Sequence, residues 1–95
     1  MSNDLGAIQI QILPILKAAG VRRAAVFGSV ARGEATDASD VDILVDLPDK
    51  ASLLDLVHLE HQLEDEIGRK VDLVEYGTIK PRLRERILKE QVPIL

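Results

Sequence analysis

The sequence predicts an α/β fold: a small mixed β-sheet packed with helices, in the order α-β-α-β-α-β-α. Three observations carry that prediction. Short apolar, β-branched runs at Val21 to Phe27, Val41 to Leu47 and Lys70 to Tyr76 alternate with stretches whose apolar residues recur at helical spacing. The joins between them are short and rich in Gly, Pro, Asp and Ser. Of the 95 residues, 46% are apolar, which suffices for one modest core, so a single domain over residues 1–95 is expected.

Residues 4 to 19 form the first predicted helix. Leu5, Ile8, Ile12, Ile15 and Ala19 repeat at spacings of three and four, Asn3 or Asp4 is placed to cap the start, and Gly20 the end. Pro14 lies inside this pattern without an N–H to give, which predicts a kink or break near Leu13. Val21 to Phe27 reads as a strand apolar on both faces, hence covered on both. Gly28-Ser29 ends it, Ser29 to Arg32 can begin a short helix, and Gly33 to Ser39 is a loop of turn formers.

Residues 41 to 47 give the strongest strand signal, closed by Pro48-Asp49. Ser52-Leu53-Leu54-Asp55 has the form of a capping box, and Leu53, Leu56, Leu59, Leu63 and Ile67 continue it as an apolar stripe ending at Gly68. Lys70 to Tyr76 is the third strand. Gly77-Thr78 then turns the chain into a last helix, about Ile79 to Glu90, with Pro81 in its first turn and Leu83, Ile87 and Leu88 facing inward. The tail Val92-Pro93-Ile94-Leu95 is apolar enough to dock or to meet a partner.

Composition narrows the function classes. One Phe, one Tyr and no Trp argue against a single-stranded nucleic-acid binder, which needs stacking platforms. A net charge of −4 argues against duplex DNA or an anionic membrane as partner. The absence of cysteine excludes a disulfide framework and a thiolate zinc site. No apolar run approaches a membrane span, and Met-Ser-Asn-Asp lacks the basic start of a signal peptide, so a cytoplasmic protein is expected.

The chemistry concentrates in residues 27 to 42. Along a strand, alternate side chains share a face, so Asp40 and Asp42 should point the same way with Cα atoms about 6.5 to 7 Å apart. Two carboxylates aimed at one point repel each other unless a cation sits between them, and hard oxygen ligands select Mg²⁺ or Mn²⁺. Asp72, an acid inside an apolar strand, becomes a third ligand if its strand lies beside residues 41 to 47, and it could act as base toward an attacking hydroxyl. Gly28 would let backbone approach a phosphate, the Ser29 hydroxyl could donate to it, and Arg32 could reach a phosphate oxygen. Together these parts describe phosphoryl or nucleotidyl transfer with two metal ions.

A Gly-Ser pair after a strand is usually only a turn, and an Asp-x-Asp usually a solvated edge. The two separated by ten residues, with an acid in the following strand, make the functional reading the stronger. Other features favour blander readings. His58 and His61 with Glu60 and Glu64 suit a solvated helix face better than a metal site. Lys80, Arg82, Arg84, Arg86 and Lys89 suit an ordinary surface or partner-binding helix. Tyr76 fits an end-of-strand core residue, and Asp46 the point where its strand emerges into solvent.

Gly28-Ser29, ten residues, then Asp40-Val41-Asp42 resembles the signature of the polymerase-beta-like nucleotidyltransferases. The run Phe-Gly-Ser-Val-Ala-Arg-Gly-Glu-Ala with Ser39-Asp40-Val41-Asp42 is similar to the minimal nucleotidyltransferase (MNT) branch in particular. The resemblance extends through Gly68-Arg69-Lys70-Val71-Asp72-Leu73-Val74 and the closing Pro81-Arg82-Leu83-Arg84 helix. It implies the nucleotidyltransferase fold, Asp40, Asp42 and Asp72 as a triad holding two Mg²⁺ ions, and Gly28 and Ser29 on the phosphates of ATP. It further implies an antitoxin that pairs with a HEPN-domain ribonuclease toxin in a hetero-oligomer and transfers AMP to a toxin tyrosine. An idle antitoxin that acts by binding alone, or an enzyme acting on a small molecule, are the alternatives. The pattern departs from many relatives at Val30, where a basic or aromatic residue is common.

Overall fold

The computed structural model describes residues 5–36 and 38–95. Helix α1 (Leu5–Ala18) leads to strand β1 (Arg23–Phe27), short helix α2 (Gly28–Arg32), strand β2 (Val41–Asp46), helix α3 (Leu53–Ile67) and strand β3 (Val71–Glu75). A 3₁₀ turn (Tyr76–Thr78), helix α4 (Pro81–Glu90) and strand β4 (Val92–Pro93) complete the chain. The four strands form one mixed sheet in the order β3-β2-β1-β4. β1 pairs antiparallel with both β2 and β4, while β2 and β3 run parallel. A parallel pair needs a long crossover, which α3 supplies.

Side-chain alternation divides the core between the two sheet faces. Ala24, Val26, Val41, Ile43, Val45, Val71 and Leu73 point to one face, where Ile8, Ile12 and Leu16 of α1 and Leu59 and Leu63 of α3 cover them. On the other face a smaller cluster joins Ala25 and Leu44 to Tyr76 and Ile79, with Ile87 and Leu88 of α4 packed against it. Asp42 and Asp72 belong to this second face by the same alternation. The side of the sheet that is only partly covered is the side that carries the acids.

Helix α1 ends in the expected way. Gly20, at φ 76°, donates to the Lys17 carbonyl at 3.1 Å, and Val21 to that of Leu16 at 3.1 Å, which satisfies two terminal carbonyls. Its start, assigned to Asn3 or Asp4 as cap, lies outside the described residues. Of the kink or break expected near Leu13, the break does not occur: α1 runs unbroken through Pro14. Pro14 is exposed, and the N–H it lacks would have donated to the carbonyl of Ile10, a residue 74% exposed, so water can serve that orphaned carbonyl. The buried stripe is Ile8, Ile12 and Leu16, whereas Ala19 faces solvent.

The capping box of α3 is complete: Asp55 N–H donates to Ser52 Oγ at 3.2 Å, and Ser52 N–H to Asp55 Oδ2 at 2.8 Å. Leu53 stands outside the apolar stripe, 76% exposed, because it precedes the part of the helix that meets the sheet. Leu83 is likewise exposed, and α4 begins at Pro81 rather than Ile79. Ile79 anchors the small cluster from the turn before that helix.

Both sheet edges are closed, one by the tail, for which docking was one of two expectations, and the other by glutamates expected on a solvated helix face. The apolar tail docks as β4, with Val26 opposite Val92 and Ile94 buried beneath. At the other edge, Val71 N–H donates to Glu64 Oε2 at 3.0 Å and Leu73 N–H to Glu60 Oε2 at 3.2 Å. These glutamates take up the outward N–H groups of β3, which would otherwise template another chain. His58 and His61, on the same helix, are exposed. Among the described residues, no helix is long and apolar enough to cross a membrane.

Candidate active site

The site is built where β1 gives way to α2 beside the starts of β2 and β3. Parallel pairing puts Asp42 and Asp72 opposite each other in register, on adjacent strands and on the less covered face. Antiparallel pairing puts Phe27 opposite Asp42, so that Gly28 follows directly over the Asp42 carboxylate. Gly28 has φ 74°, a left-handed conformation open to glycine at little cost. A Cβ built there would lie 3.2 Å from Asp42 Cγ and collide with Oδ2. Two independent constraints therefore demand glycine at this position.

Asp40 stands exposed immediately before β2, at the end of the loop from Gly33. Arg69 holds that loop in place: its Nη2 donates to the Ser39 carbonyl at 2.7 Å and to that of Thr36 at 3.0 Å. Ser39 in turn donates its N–H to the Thr36 carbonyl at 3.0 Å, closing a turn. Arg69 is a supporting residue that motif reading passed over, since its targets are backbone atoms thirty residues away.

The electrostatics single out Asp42. Its carboxyl is pushed up to about 6, first by burial, then by the charges of Asp72 and Asp40, with Glu90 adding to them and Arg32 opposing. Asp40, Asp42 and Asp72 thus share a field without a full counter-charge. Among the described residues, no three acidic or imidazole groups already converge at metal-holding distance. The donor set nevertheless suits a hard divalent cation, since it consists of carboxylate oxygens whose mutual repulsion a cation would relieve.

Beside the acids lies a group of anion donors. Gly28 N–H, the half-buried Ser29 and the Arg32 guanidinium follow one another along α2. Arg32 Nε donates to Glu34 Oε1 at 2.9 Å, which fixes the plane of the guanidinium. Its Nη1 donates to both oxygens of Glu90, at 3.2 and 3.3 Å. Glu90 Oε1 also accepts from Gly28 N–H at 3.1 Å. Glu90, the last residue of α4, is part of this site, and no motif marked it in the sequence. Val30, one position after Ser29, is buried in the core and points away from these groups. Tyr76 is also a core residue, with the Arg23 guanidinium 4.0 Å from its ring centroid. A shallow groove lined by Arg82, Glu85, Arg86 and Lys89 runs along α4 beside Glu90.

Comparison with known proteins finds relatives of this chain. Residues 10–94 match the model of the nucleotidyltransferase domain family. A Methanocaldococcus jannaschii protein, named as a candidate protein adenylyltransferase, is 47% identical over 92 residues, covering 97% of this chain and 99% of that one. A solved structure described as a candidate minimal nucleotidyltransferase superposes with a TM-score of 0.82 at 43% identity, over 94% of this chain and 91% of that one. A complex of a tri-AMPylated Shewanella oneidensis HEPN toxin with MNT antitoxin is similar with a TM-score of 0.75, over 100% of this chain and 72% of the other. At 18% identity that last likeness is one of fold.

Proposed function

This chain belongs to the nucleotidyltransferase domain family, and we propose that within it the protein is a Mg²⁺-dependent protein adenylyltransferase. It transfers AMP from ATP to a tyrosine of a cognate HEPN ribonuclease toxin, acting as the antitoxin in a hetero-oligomer. The observation that carries this reading is the Gly28, Asp42 and Asp72 arrangement: a glycine forced open against one carboxylate, with a second in strand register beside it. The names of its relatives supply the acceptor class. All of it fits within one domain, residues 1–95.

Gly28 N–H, Ser29 and Arg32 bind the triphosphate, and Gly28 lets backbone come close without a side chain in the way. Asp40, Asp42 and Asp72 would hold two Mg²⁺ ions, which supply charge neutralisation for the α-phosphate and the departing pyrophosphate. Asp72, exposed near the start of β3, accepts the proton of the tyrosine hydroxyl. The tyrosine oxygen bonds to the α-phosphorus as its bond to the bridging oxygen breaks, and pyrophosphate leaves. The chain's own surface near these groups is an open groove along α4, so the acceptor is delivered by the partner.

The test is incubation with Mg²⁺, ATP labelled at the α-phosphate and the co-purifying toxin, beside the Asp40→Asn, Asp42→Asn double variant. Label retained on the toxin, and lost in the variant, is the expected result. Binding of toxin without label in either sample would leave an antitoxin that acts by binding alone. Label on a small molecule instead would replace the acceptor class, and transfer of a γ-phosphate label would mean kinase chemistry.

A further inference from the structure

We propose that Glu90 is a displaceable occupant of the phosphate site, a carboxylate that holds the donors until the nucleotide takes them. The proposal rests on the reading of Gly28 and Arg32 as phosphate donors. Those are the two groups on which Glu90 sits. Its Oε1 accepts from Gly28 N–H at 3.1 Å and from Arg32 Nη1 at 3.2 Å, and its Oε2 accepts from Arg32 Nη1 at 3.3 Å. Carboxylate and phosphate oxygens address guanidinium and amide donors in the same way, so both cannot occupy these donors at once.

Several features distinguish this contact from an ordinary surface ion pair. Glu90 arrives from the end of α4, 62 residues beyond Gly28, and its side chain is 20% exposed. It settles there although its charge adds to that of Asp72 and Asp40 around Asp42, which disfavours another acid nearby. What holds it is the donor pair. Glu34 keeps its own bond to Arg32 Nε, so the guanidinium stays aimed when Glu90 leaves. The exchange removes one anion from the donors as another arrives.

The direction of the effect follows. A resident anion lowers the apparent affinity of an incoming one by the fraction of donors it keeps occupied. Neutralising Glu90 should tighten ATP binding, and the gain should appear in KM rather than kcat. A single charge-assisted contact, partly open to solvent, corresponds to a change of about three- to tenfold.

Calorimetric titration of the full chain with ATP and Mg²⁺ would compare wild type, Glu90→Gln and Glu90→Asp, alongside thermal melts and transfer kinetics. The expected result is a dissociation constant lowered about three- to tenfold in Glu90→Gln, with KM lowered in step. Glu90→Asp, too short to span both donors, should move the same way and covers the case in which Glu90→Gln fails to fold. Unchanged or weaker ATP binding in a folded variant would overturn the proposal and leave Glu90 as a tie between α4 and α2. A fall in kcat at unchanged affinity would overturn it by making Glu90 a catalytic group. If wild type and variants alike bind no ATP, the nucleotide-site reading itself falls, and this proposal with it.

Discussion

Gly28 stands against Asp42 so closely that no side chain can be placed between them. Its φ of 74° belongs to glycine, and an added Cβ would meet the Asp42 carboxylate. The contact joins the anion donors of α2 to the acids of β2 and β3 across the β1–β2 pairing. It fixes the spacing between the groups assigned to the phosphates and those assigned to the metal ions.

Gly28→Ala should therefore damage the site more than the fold. The methyl pushes the Asp42 carboxylate aside, and a displacement of about 1 Å at reacting groups can cost about 100-fold in rate. The left-handed backbone adds a stability loss of about 1 to 2 kcal/mol. We expect transfer of labelled AMP to fall by about two orders of magnitude in a variant that still unfolds cooperatively. Transfer within a few-fold of wild type would show that the close approach has no role in catalysis.

Asp42 should make stability depend on pH. Its folded-state carboxyl titrates at about 6, above the ordinary value of 3.8, so the fold binds that proton more tightly than the unfolded chain does. The stabilisation is complete below about 4 and is lost as pH rises through about 6. In metal-free protein at pH 7.5, Asp42→Asn should therefore be the more stable form, by about 1 kcal/mol after allowance for solvent screening. The difference should shrink at pH 4 and narrow or reverse when Mg²⁺ is added. Melting curves at the two pH values, with and without metal, measure it.

Asp72→Asn removes the charge that acts most strongly on Asp42 and the group assigned as base. Transfer should fall by about 100-fold or more, the range ascribed to a positioned general base. The Asp42 carboxyl should also titrate lower than about 6, because Asp72 is the largest charge raising it. Carboxyl NMR titration reads the second effect independently of activity. A variant with unchanged Asp42 titration would contradict the register pairing as the source of the field.

Pro14→Ala should stabilise the protein without touching the site. The helix already continues through Pro14, which is exposed, so alanine restores the missing backbone bond at no cost in packing. Interior proline is about 3 kcal/mol less favourable than alanine, and an exposed position that water serves should recover about 1 to 2 of that. A lower melting temperature would mean that α1 relies on the proline for its contact with α3.

Ile94→Ala tests the docked tail. Ile94 is buried under β4, which closes the free edge of β1. Truncating a buried isoleucine costs about 2 to 4 kcal/mol. Thermal unfolding should show that loss, and an effect below about 0.5 kcal/mol would mean the tail contributes little to the fold.

Much of this molecule was legible because its signals are local. The three main strands, the capped helix α3 and the Gly20 cap each depend on neighbours a few residues away, as does the spacing from Gly28-Ser29 to Asp40 and Asp42. The errors share one cause. No break interrupts α1 near Leu13, and Ala19, Leu53 and Leu83 face solvent rather than the core. Each depends on which surface the rest of the chain covers, which periodicity does not state.

The sequence by itself determined the α/β order, the family resemblance and the acids, because strand alternation and motif spacing are one-dimensional. Tertiary structure alone decided how those acids meet. Asp72 faces Asp42 because β3 runs parallel to β2 in one register among several possible. Arg69 reaches back to hold the loop before Asp40, and Glu60 and Glu64 close the β3 edge. Glu90 lies on Gly28 and Arg32 because α4 returns across the open sheet face. These contacts span from seven to 62 residues, and their partners are chosen by packing geometry, which no local pattern encodes.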